Sequence, residues 1–69
     1  MPRYRVIWFP LDRKPFSLGM STFNDDEAAI AETAAVCKRV GAVACIMRPD
    51  RKQTVAILDT EGNVHETGA

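Results

Sequence analysis

The sequence predicts a small α+β domain, ββαββ in order, with one helix packed on one face of a mostly antiparallel four-stranded sheet. Three observations carry this expectation. Runs of β-branched and aromatic residues are separated by turns bearing proline or glycine, one alanine-rich stretch between them has helical spacing, and the length leaves room for a single core. With 69 residues, 46% of them hydrophobic, the chain is expected to form one domain over residues 1–69 with a flexible tail at about 66–69. A chain this short buries only roughly 60% of the surface its unfolded form exposes.

The first strand is read over residues 3–9, Arg-Tyr-Arg-Val-Ile-Trp-Phe, and Pro10 closes it because proline donates nothing to a strand ladder. Residues 11–15 form a polar turn. The second strand follows over 16–23, with Phe16, Leu18 and Met20 expected on one face and Gly19 marking a bulge. A helix then opens at Asn24, whose side chain is placed to cap it while Glu27 reaches back three residues on and Phe23 occupies the staple position. Asp25, Asp26 and Glu27 in the first turn and Lys38 and Arg39 in the last oppose the helix dipole, and Gly41 is the natural stop. At 100° per residue Ala29, Ile30, Thr33, Ala34, Val36, Cys37 and Val40 share the half that faces the core. Ala28, Ala31 and Ala35 on the far side are better explained by helix propensity than by a contact surface. The third and fourth strands, at 42–48 and 54–59, read as a hairpin. Residues 60–63 carry another turn signal, and 64–66 offer a short fifth edge strand.

A helix of about 17 residues is roughly 25 Å long and covers one sheet face only. Both faces of the strands are nevertheless apolar: Tyr4, Val6 and Trp8 alternate with Ile7 and Phe9, and Val43, Cys45 and Met47 with Ala44 and Ile46. The expectation is therefore that the face lacking the helix is buried by a partner or a second copy, with Tyr4, Val6, Trp8 and Met47 as interface residues. The competing expectation is a strongly coiled sheet with the 11–15 loop folded over that face.

Positive and negative side chains number nine each, giving zero net charge, which argues against a general polyanion binder. Charge is segregated all the same. Residues 1–23 carry net +3, 24–36 net −4, 37–52 net +4 and the remainder net −3. If the turns at 11–15 and 49–53 lie at one end of the sheet, Arg13, Lys14, Arg51 and Lys52 form a basic rim that suits RNA or an acidic protein surface. No run approaches the roughly 20 apolar residues that span a bilayer, so a cytoplasmic protein with no membrane partner is expected. Cys37 and Cys45 sit among apolar neighbours and read as buried thiols. His65 reads as an exposed histidine near the end of the chain, the Asp25–Asp26–Glu27 run as helix capping, and the four glycines are isolated, so no catalytic residues, metal or cofactor are expected.

The strand Arg3-Tyr4-Arg5-Val6, the helix opening Ser21-Thr22-Phe23-Asn24-Asp25-Asp26-Glu27-Ala28-Ala29 and the ending Asp59-Thr60-Glu61-Gly62-Asn63 after two strands resemble the layout of small orphan ββαββ proteins of phages and prokaryotic mobile elements, some anti-CRISPR inhibitors among them. The resemblance implies a stand-alone role in binding and blocking something larger and transfers no functional residue. The expected function is that of a non-enzymatic interaction protein acting by protein–protein contact, as a homodimer or other homo-oligomer, or as an inhibitor or accessory subunit. The alternative is a small nucleic-acid-binding module using the basic rim.

Overall fold

A computed structural model describes residues 2–50 and 52–67. Strands β1 (Arg3–Phe9) and β2 (Phe16–Thr22) precede helix α1 (Asp26–Val40), and β3 (Val43–Met47), β4 (Thr54–Leu58) and β5 (Val64–Thr67) follow it. All neighbours pair antiparallel in one five-stranded sheet ordered β2-β1-β3-β4-β5. The α+β class and the ββαββ layout are as the sequence predicts. The fifth strand, expected at 64–66, forms and runs on through residue 67; residues 68 and 69 lie outside the described residues.

Because β2 and β3 each run antiparallel to β1, they run parallel to one another with β1 between them. Helix α1 makes the return from the end of β2 to the start of β3. Its N-cap is Asp25, one residue later than expected, whose carboxylate accepts from the Ala28 amide at 2.8 Å. Asn24, Asp25 and Asp26 can all cap a helix, and local chemistry does not choose among them. The tertiary contacts of Asp26 do. At the other end Gly41 has φ 71°, and its amide reaches the Cys37 carbonyl at 2.8 Å.

Three register shifts decide which side chains share a face. In β2, Leu18 and Gly19 together stand opposite Val6, with Gly19 at φ 97°, so this is the bulge that glycine signals. It places Phe16 across from Trp8 and Met20 across from Arg5, hence on opposite faces, where unbroken alternation would have kept them together. In β4 an extra residue at Val55 leaves Val55 and Ala56 both buried. In β5 His65 is the extra residue.

The core lies between α1 and one face of the sheet. Tyr4 and Val6 of β1, Ala44 and Ile46 of β3, Ala56 and Leu58 of β4, and Ala29 and Cys37 of α1 are buried, with Trp8, Phe23, Ile30 and Ala34 packed against them. The helix buries the narrow stripe Ala29, Thr33 and Cys37, while Val40, expected in the core, is 59% exposed at the last turn. Contacts of α1 concentrate on β3 and β4.

Candidate functional site

The expected interface set divides between the two faces. Tyr4 (1% exposed) and Val6 (5%) are buried on the helix side, and Trp8 packs against the same core. None of these three belongs to the helix-free face. Met47 does, because its register partner is Arg5, one residue out of phase with Tyr4 and Val6. Strand alternation shows that these residues share a face; it carries no information about which face receives the helix.

The helix-free face is apolar as expected, with different members. Ile7, Phe9, Val43, Cys45, Met47 and Ile57 share it by register, and all six are half-buried. Met20 borders them at 40% exposure. The loop at 11–15 does not cover this surface, since Asp12 and Arg13 line a cleft with Val36, Val40 and Trp8 on the helix side. The turn at 59–63 also leans toward the helix, bringing Gly62 against Ala34. Arg5 lies inside the patch, between Met20 and Met47. Its Nε is buried without a hydrogen-bond partner, an arrangement that costs free energy unless a further group supplies an acceptor.

On the helix side the cleft beside Trp8 has a volume of about 390 Å³ and includes Phe16 and Val40. It exists because α1 sits over β3 and β4 and leaves the β1–β2 half of that face less covered. Leu11, in the adjoining turn, is 84% exposed.

The basic rim does not assemble. Phe9 pairs with Val43 and Arg5 with Met47, so the turn after β1 lies at one end of the sheet and the turn after β3 at the other. Arg13 and Lys14 are thereby separated from Lys52 by the length of the strands, roughly 17 Å for five residues; Arg51 lies outside the described residues. Arg13 instead pairs with Asp12 at 3.6 Å in a solvated turn.

Two polar groupings escaped the sequence reading. Tyr4 donates its hydroxyl to Asp26 Oδ1 at 2.6 Å, and Arg48 grips the same carboxylate with two bonds of 3.0 Å. The Arg48 guanidinium also lies 5.7 Å from the Tyr4 ring centre. The hydrogen bond from Tyr4, followed by those from Arg48, holds the Asp26 carboxyl below its ordinary 3.8, while burial and the neighbouring carboxylate raise the Tyr4 phenol above 10.0. These contacts pin the first turn of the helix to β1 and to the end of β3. Each bridges 22 residues of sequence, so no local spacing announces them. The second grouping spans the β4–β5 turn. Asp59 Oδ1 accepts from the Glu61 and Asn63 amides at 2.9 Å each, and Oδ2 lies 2.6 Å from His65 Nε2. The His65 contact, then the Asn63 amide, lowers Asp59 to about 2. The hairpin signal at 60–63 could have located this pair, since a turn of that length returns residue 65 beside residue 59.

Cys37 is buried under the helix, and burial pushes its thiol pKa up, which disfavours the thiolate. Cys45 lies on the opposite face, and the two are not joined in a disulfide. Among the described residues no three His, Cys, Asp or Glu side chains converge to hold a metal ion, and no helix is long and apolar enough to cross a membrane. Compared with protein families, curated proteins and solved structures, the chain matches none of them.

Proposed function

We propose that this is a non-enzymatic interaction protein that acts by protein–protein contact, and that the helix-free sheet face is the surface it presents. One observation carries the reading: Ile7, Phe9, Val43, Cys45, Met47 and Ile57 form a contiguous apolar field across three strands, on the face away from α1 and from the turns at 11–15 and 59–63. Apolar patches of a few hundred Å² and more, rimmed by polar groups, mark contact sites on small proteins. The anchors are then Phe9, Met47 and Ile57, in place of Tyr4, Val6 and Trp8. A role as a homo-oligomer, or as an inhibitor or accessory subunit like the small phage proteins whose layout the chain resembles, belongs to this reading, as does a cytoplasmic location. The nucleic-acid alternative loses its support with the divided rim.

The test compares the parent chain with Ile57→Lys. Sedimentation reads association with a copy, and immobilised chain reads capture of a partner from host extract. The parent is expected to associate or to retain a partner, and the variant to lose this while keeping the same circular dichroism and a urea unfolding free energy within about 1 kcal/mol. Association or capture undiminished in a folded Ile57→Lys variant, or none by the parent, overturns the reading.

A further inference from the structure

Resting on that reading, we infer that the occupant of the helix-free face is a second copy of this chain, packed face to face about a two-fold axis that passes beside Cys45. β3 is the middle strand of five and Cys45 the middle residue of β3. Ile7, Cys45 and Ile57 form one row across the sheet, and Arg5, Met47 and Thr54 the next. Rotation about an axis along β3 returns Cys45 onto its own equivalent and sets Ile7 over the copy's Ile57, apolar on apolar. The same rotation sets Arg5 over the copy's Thr54, whose hydroxyl is an acceptor of the kind that the buried Nε lacks. An isologous interface requires this kind of self-complementarity.

Charge points the same way. The chain has zero net charge, so two copies meet without long-range repulsion. Area fixes where the axis falls. Five strands about 4.8 Å apart and five residues of about 3.3 Å rise give a flat footprint of roughly 400 Å² per copy. Full overlap therefore removes on the order of 1,000 Å² of accessible surface in total, the lower bound for a specific interface, and an offset pairing falls short of it. Sheets so stacked stand about 10 Å apart, within reach of a short bis-maleimide between facing cysteines.

The experiment is sedimentation equilibrium of the parent chain across concentration, together with bis-maleimide cross-linking. A dimer is expected that cross-links in the parent and in Cys37→Ser but not in Cys45→Ser, and Ile57→Lys is expected to weaken association more than about tenfold. A dimer that forms without cross-linking through Cys45 overturns the axis. A parent that stays monomeric to millimolar concentration yet captures a partner lost in Ile57→Lys overturns the second copy and leaves the contact face standing. A parent that neither dimerises nor captures anything overturns both. The cross-link is read on the parent, so a poorly folded Ile57→Lys variant does not remove the test; Met20→Lys, at the patch border, then takes its place.

Discussion

Along β3, Ala44 and Ile46 are fully buried beneath the helix, while Val43, Cys45 and Met47, one residue to either side, are only half-buried on a face without a helix. The two sets are similarly apolar. What separates them is coverage, because one 15-residue helix resting on β3 and β4 shields a single side of a five-stranded sheet. The lesson is that hydrophobicity along a strand reports what wants burial, whereas the fold decides which half of it is satisfied within the chain.

The largest expected effect contrasts two isoleucines. Ile46→Ala opens a cavity in the core and should cost about 3 kcal/mol in urea unfolding. Ile57→Ala, the same deletion on the other face, should cost less than about 1 kcal/mol at concentrations where the chain is monomeric. Equal costs would mean that the second face is covered after all. Next comes Gly62, which holds the β4–β5 turn against the helix at φ 83° with room for no side chain: a Cβ there would stand 2.9 Å from the Ala34 carbonyl oxygen. Gly62→Ala should therefore cost about 2 kcal/mol, visible as a fall in Tm of about 10 °C for a domain of this size.

A smaller effect tests the pin between the helix and β1. Tyr4→Phe keeps the buried ring and removes one hydrogen bond to a carboxylate that also keeps Arg48, so a loss of about 1 kcal/mol is expected by urea titration. Acid titration should give the most gradual change. Asp26 and Asp59 both have folded pKa values below the ordinary carboxylate value, so their contributions are present above that value and disappear as pH falls through the folded one. For Asp59 the window runs from 3.8 down to about 2. His65→Ala should move the Asp59 titration, followed by NMR, back toward 3.8; an unmoved titration would show that the turn amides alone hold the carboxylate down.

Much of this molecule is legible along the chain. Pro10 ends β1, Gly19 marks the bulge and Gly41 ends the helix, each through a backbone constraint acting within a few residues. The apolar face away from the helix was legible in kind, and its membership was not. Tyr4, Val6 and Trp8 repeat every second residue just as Arg5, Ile7 and Phe9 do, and period two is blind to which side a helix will take. The basic rim failed for a related reason. Arg13 lies in the turn after β1 and Lys52 in the turn after β3, and β1 and β3 are antiparallel neighbours, which sends those turns to opposite ends.

Strand and helix propensities, the stops between them and the presence of apolar side chains on both sides of the sheet were determined by the sequence alone, because each depends on interactions that reach only a few residues. The path of the chain from β2 through α1 back to β3 decided the rest: which face is shielded, where Tyr4, Asp26 and Arg48 meet, and which apolar field stays open. Local energies are nearly the same for either face of a strand, so only long-range packing distinguishes them.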